Sequence, residues 1–123
     1  MLRAFLLVGL GGGLGSIARY ALSLFINRLG THSFPLATFT INMTGCFLIG
    51  LLFGMGSKVV WAQGDGWLVL ATAFCGGFTT FSAFALENVG LFNKQLSVTA
   101  LLYTLLSVLG GILLCRLGIW LTA

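Results

Sequence analysis

The chain has 123 residues, 59% of them hydrophobic and only 7% charged, and its mean hydropathy is +1.10. That leaves too little polar surface to clothe a soluble domain, so the chain is an integral membrane protein. The net charge of +4 and pI near 9.4 come from six scattered basic residues, which excludes the clustered basic face of a nucleic-acid-binding protein.

Charged residues divide the sequence into four apolar spans at roughly 4–27, 34–57, 66–90 and 95–121. Each is near the ~20 residues that a helix needs to cross hydrocarbon. With no repeat or second domain visible, residues 1–123 read as a single all-α transmembrane domain. Eighteen glycines against one proline point to closely packed helices. Cys46, Cys75 and Cys115 are odd in number, lie in apolar segments and lack metal-ligand spacing, so they read as buried free thiols.

The first span opens with MLRAFLLVGL, which resembles the start of a signal peptide, but the apolar pattern continues to Tyr20 and Phe25 and predicts a retained helix. Its glycine run fails the dinucleotide fingerprint, because the third glycine position is Leu14 and no strand precedes it. Gly9/Gly13 and Gly11/Gly15 instead give two faces where helix backbones approach closely. Arg19 lies toward the far end beside Tyr20, where it either snorkels to the interface or lines an aqueous vestibule that attracts anions.

His32 and Pro35 mark the turn into the second span, and His32 reads as a loop residue. Thr38, Thr40, Asn42 and Thr44 carry polar groups into this span, and Gly50/Gly54 add a close-packing face. Threonine hydroxyls bond back to their own helix, but the Asn42 amide needs another helix or a pore, where its NH2 group can donate to an anion. Trp61 and Trp67 fit the aromatic belt at the membrane interface.

The third span is the unusual one. Residues 74–84 set Gly76-Gly77 and Thr79-Thr80 among phenylalanines, a combination that weakens a helix and predicts a break. Unwound backbone survives in a bilayer only where protein, water or an ion satisfies its carbonyls. In the fourth span Tyr103 and Ser107 are four apart and share a helix face, as a packing contact or as a hydroxyl pathway.

Four short helices can hardly enclose a pore alone, so the chain is expected to oligomerise. Arg3, Lys58 and Arg116 fall to one side and Arg28 and Lys94 to the other, a near balance that allows dual insertion and an antiparallel homodimer. Enzyme activity is not expected: the acids are Asp65 and Glu87, the only histidine is His32, and no carboxylate pair or nucleophile set forms. Mid-span, Asn42, Thr80, Ser82, Tyr103 and Ser107 offer weak donors, and Phe81 and Phe84 offer electropositive ring edges. Such a set suits conduction of a small anion, while the same phenylalanines also suit a filled membrane core.

Gly76-Gly77-Phe78-Thr79-Thr80-Phe81-Ser82-x-Phe84, with Gly12-x-x-Gly15-x-x-x-Arg19-Tyr20 and Asn42-x-x-Gly45, resembles the small bacterial fluoride channels of the Fluc/CrcB family, and the resemblance covers all four spans. It implies a fluoride-selective passive channel of the bacterial inner membrane, built as an antiparallel dual-topology homodimer. It also implies pathway roles for Phe81, Phe84 and Asn42, a hydroxyl track of Thr80, Ser82, Tyr103 and Ser107, and a vestibule role for Arg19. A sodium ion on the dimer axis is implied at the backbone carbonyls of Gly76 and Thr79. Two positions depart from the pattern: Gly111 replaces a further hydroxyl of some members, and Phe78 adds an aromatic whose role the motif leaves open. The alternatives are a small four-helix dual-topology exporter and a membrane assembly protein held by its glycine faces.

Overall fold

The computed structural model describes residues 1–123, and each apolar span forms a helix or a pair of helices long and apolar enough to cross a membrane. Helix α1 runs Leu2–Arg28, α2 Leu36–Met55, α3 residues 64–78, α4 Phe81–Asn93 and α5 Ser97–Thr122. The loop after α2 carries a short 3-10 turn at Val60–Ala62, and Gln63 folds back to donate to the Gly56 carbonyl at 2.5 Å.

Helices α3 and α4 together make the third span, and their geometry explains the break. Helix α3 begins as an α-helix at Gly64–Trp67, widens into π-helical turns over Leu68–Cys75, and tightens again at Gly76–Phe78. Thr79 and Thr80 are then extended, with φ/ψ of −81°/158° and −146°/123°. The interruption therefore sits at the threonine pair, while both glycines stay helical. β-Branched threonine tolerates extended backbone well, and the Thr80 hydroxyl caps α4 by accepting from the Ala83 N–H at 3.3 Å. Gly77 serves close approach instead: a Cβ there would strike the Gly12 carbonyl of α1.

Helix α4 ends in a Schellman turn, with the Gln95 N–H on the Phe92 carbonyl at 3.0 Å and the Leu96 N–H on the Leu91 carbonyl at 2.8 Å. Gln95 takes the left-handed position at φ 61°, where glycine is usual. This turns the chain back into α5, and Leu96 packs on Leu91 beside Tyr103 and Ala100.

Two tightly packed pairs make the bundle, α1 on α3 and α2 on α5. Both rely on missing side chains. A Cβ at Gly11 would lie 2.7 Å from the Val69 carbonyl oxygen, and one at Gly15 would strike the Phe74 carbonyl. A Cβ at Gly118 would lie 2.6 Å from the Phe47 oxygen, and one at Gly50 would strike that of Cys115. The Gly9/Gly13 face of α1 meets nothing within 4 Å. The ends at residues 2, 55, 64 and 122 gather on one side of the bundle, tied by an Arg3–Asp65 ion pair and by Lys58 donating to the Ala123 carbonyl at 2.7 Å. Only 19 of 123 residues are buried, and leucines, isoleucines and phenylalanines cover the outside, as a surface facing lipid requires.

Candidate functional site: the break in the third span

The break is held open by Asn42 of α2. Its Nδ2 donates to the Thr80 carbonyl at 3.0 Å, and its Oδ1 accepts from the Thr80 N–H at 2.8 Å. The side-chain amide thus replaces a strand neighbour and satisfies both polar groups of one unwound residue, leaving a single Nδ2 hydrogen to face outward. Gly45, one turn further along α2, makes room for Thr79: a Cβ there would strike the Thr79 methyl. The spacing Asn42-x-x-Gly45 is what a helix needs to grip two successive extended residues.

Beside this brace runs a groove of about 270 Å³ lined by Asn42, Thr79, Thr80, Phe81, Phe84 and Ser107 among others. Phe81 is 80% exposed, and its ring lies 5.7 Å from that of Phe84 and tilted 37° to it. A phenylalanine so bare at the first turn of α4 adds nothing to the chain's own core. Thr80 and Ser82 place their hydroxyl oxygens 3.4 Å apart at the same turn. Ser107 Oγ is buried without any hydrogen-bond partner.

Tyr103 is placed differently from its neighbour on α5. It is fully buried, stacks obliquely on Phe84 at 5.0 Å, and donates its hydroxyl to Glu87 at 2.9 Å rather than to Ser107. Thr38 donates to the other Glu87 oxygen. Glu87 and Thr38, together with Arg19 and Thr80, line a polar vestibule of about 530 Å³ that opens past Ser23, Asn27 and His32. Arg19 reaches back to the break, where its Nε donates to the Gly77 carbonyl at 3.2 Å, and Ser16 shares that oxygen at 3.4 Å. Asn42, Phe81, Phe84, Thr80, Ser107 and Arg19 therefore surround one interruption, with Tyr103 set behind the aromatic pair.

The family pattern described as "CrcB-like protein, Camphor Resistance (CrcB)" matches residues 6–119. The chain belongs to the CrcB family. Curated relatives share 43% identity over 122 residues (99% of this chain and 98% of the relative) in Azobacteroides pseudotrichonymphae genomovar. CFP2, and 42% over 121 residues (98% and 99%) in Phocaeicola vulgatus. A third, from Gloeothece citriformis, is 46% identical over 120 residues (94% of each chain), and all three are named "Fluoride-specific ion channel FluC".

Within this CrcB chain the carbonyls of Gly76 and Thr79 have lost their helical donors. The Thr80 N–H, which a continuous helix would aim at Gly76, goes to Asn42, and the Ala83 N–H, which would serve Thr79, goes to the Thr80 hydroxyl. No other protein donor reaches either oxygen. Uncharged carbonyl oxygens without competing hydrogen bonds are the donors a hard cation such as sodium takes. Gly76 is itself exposed, and a Cβ there would meet nothing within 4 Å.

Both departures from the motif find a place. Phe78 is buried, stacks on Phe74 with ring centroids 5.9 Å apart, and turns its ring toward Gly45 of α2, so it packs between helices and does not line the groove. Gly111 is buried against Cys46, where a Cβ would lie 3.1 Å from the sulfur, so a side chain there would require Cys46 to give way. Sequence reasoning missed Glu87, whereas His32 lies in the loop before α2 as expected, at the edge of the vestibule. Glu87 falls four residues after Ala83 and seven after Thr80, the spacing that returns a side chain to the vestibule face, and that periodicity was the available signal.

Proposed function

We propose that this CrcB-family protein is a fluoride-selective passive ion channel of the bacterial inner membrane, which lets cytoplasmic fluoride escape. It works as an antiparallel dual-topology homodimer. The observation that carries the reading is the Asn42-braced break beside the bare Phe81 ring, in a chain 42–46% identical to proteins named fluoride-specific ion channels. The exposed Phe81 ring and the carbonyls left without donors are what a second copy would cover.

Fluoride enters the vestibule, drawn by the Arg19 guanidinium, and gives up water for the remaining Asn42 N–H and the hydroxyls of Thr80 and Ser82. It then passes the electropositive ring edges of Phe81 and Phe84 toward Ser107. Chloride is excluded by width. Sodium, when bound, supplies a fixed positive charge near the membrane centre; the carbonyls of Gly76 and Thr79 from each subunit would hold it.

Glu87 is the one carboxylate that a proton-coupled exporter would use, so the two readings separate on the driving force. Liposomes containing the purified protein, loaded with fluoride and chloride and discharged with a potassium ionophore, are expected to lose fluoride rapidly and keep chloride. Flux that requires a pH gradient would replace the channel with an exporter, and retention of both ions by folded protein would remove transport altogether.

A further inference from the structure

The groove beside Phe81 does not end at Ser107. A second cavity of about 530 Å³ shares Cys46, Ser107 and Val108 with it and continues along α5 past Gly111 and Cys115 to Arg116. The two cavities and the vestibule thus follow one another along the chain, from Arg19 at one end to Arg116 at the other.

Arg116 is not placed as a simple interfacial anchor. It lies six residues before the end of α5, about 9 Å inside it at 1.5 Å per residue. Its neighbour Cys115 packs on Gly50, five residues inside the end of α2. No carboxylate answers its charge: Asp65 is paired with Arg3, and Glu87 is held by Thr38 and Tyr103 at the far side of the aromatic pair. Nor does its guanidinium donate to any group of the chain, whereas Lys58 on the same side is engaged with the Ala123 carbonyl. Between this free cation and the Phe81 groove stands the Ser107 hydroxyl, buried with no partner of its own. An unanswered cation at a cavity mouth and an orphaned hydroxyl behind it form a donor set for a small anion.

We infer that Arg116 is the second anion-recruiting residue of the conduction path, receiving or releasing the ion at the end opposite Arg19. This rests on the channel reading above. Arg116 and Arg19 lie on opposite halves of the bundle, so an antiparallel pair of chains would present one mouth of each kind to each side of the membrane. The path would then be charged at both ends, and entry from either side would be assisted.

The test is fluoride efflux from liposomes with wild type, Arg116→Gln, Arg116→Lys and, as a surface-charge control, Arg28→Gln, each at low and high ionic strength. Arg28 is exposed at the end of α1 and lines none of the three cavities. At low ionic strength Arg116→Gln is expected to slow efflux about threefold or more, with Arg116→Lys retaining most of it and Arg28→Gln unchanged. At high salt, where the Debye length shrinks toward about 3 Å, the deficit should narrow. Equal rates for wild type and Arg116→Gln at both salts would overturn the inference. So would a deficit that lysine does not rescue or that Arg28→Gln reproduces. Absence of fluoride flux in the wild type would instead remove the channel reading on which the inference rests.

Discussion

Asn42 and Thr80 are joined by two hydrogen bonds, one from the side-chain amide to the backbone carbonyl and one returned from the backbone N–H. The unwound residue is therefore satisfied by a neighbouring helix before any ion arrives, and Asn42 is a brace as well as a lining residue. Its truncation should act on folding and conduction together. Asn42→Ala removes two bonds worth about 0.5–1.5 kcal/mol each and leaves Thr80 unpaired, so we expect destabilisation of about 2–3 kcal/mol and loss of fluoride flux. Thermal denaturation in detergent alongside liposome efflux checks both; a variant with wild-type stability would mean that the brace is dispensable.

Phe81 gives the opposite dissociation. Because its ring is 80% exposed, removing it deletes almost no burial within the chain. Phe81→Ile should keep the folded protein and its oligomeric state while reducing fluoride efflux about tenfold. Size-exclusion chromatography and efflux of the same sample are sufficient, and unchanged flux would take Phe81 out of the path.

Ser107 and Tyr103 share a helix face by spacing, yet their hydroxyls have different tasks. Tyr103 donates to Glu87 beneath the aromatic pair, whereas Ser107 has no partner and borders the groove. Tyr103→Phe keeps the ring and forfeits a bond to a carboxylate, at a cost of about 1.5–3 kcal/mol in stability. Ser107→Ala loses no bond within the protein and should leave stability unchanged while slowing efflux several-fold. The reverse pattern, with flux following Tyr103 and stability following Ser107, would refute this division.

What was legible beforehand follows from which forces act locally. The apolar spans and the break were readable because a bilayer imposes length, and because paired glycines and threonines are poor in an uninterrupted helix. The position of the break was not. Gly76-Gly77 remains helical and Thr79-Thr80 unwinds, because Asn42, 38 residues before Thr80, supplies the donor and acceptor that Thr80 needs. The same non-local cause hid the pairing of Tyr103 with Glu87: a four-residue spacing on α5 reports a shared face but not which atom of α4 lies opposite. Of the two glycine faces on α1, spacing could not say that Gly11/Gly15 meets α3 while Gly9/Gly13 stays open.

Those two faces predict contrasting substitutions. A methyl at Gly15 would strike the Phe74 carbonyl, backbone that cannot rotate aside, so Gly15→Ala should destabilise the fold by about 1–3 kcal/mol. A methyl at Gly13 meets nothing, and alanine is the better helix former by about 1 kcal/mol. Gly13→Ala should therefore match or exceed wild type in thermal denaturation. A large loss at Gly13 would instead mark that face as covered in the assembled protein.

Sodium offers a prediction that no side-chain variant can make, since the implied ligands are backbone oxygens. An ion bound by the folded assembly and not by the unfolded chain stabilises in proportion to the logarithm of its concentration, about 2.7 kcal/mol at a hundred times the dissociation constant. Protein purified throughout in N-methylglucamine chloride should unfold at lower temperature than protein purified in sodium chloride of equal ionic strength. Titrated sodium should recover the difference, and potassium, whose larger radius suits a wider carbonyl cage, should recover less of it. Because the Gly76 and Thr79 carbonyls have no competing donors, the effect should persist in Phe81→Ile, which leaves both oxygens untouched. Identical unfolding temperatures in the two salts would leave those carbonyls to water and remove sodium from the assembly.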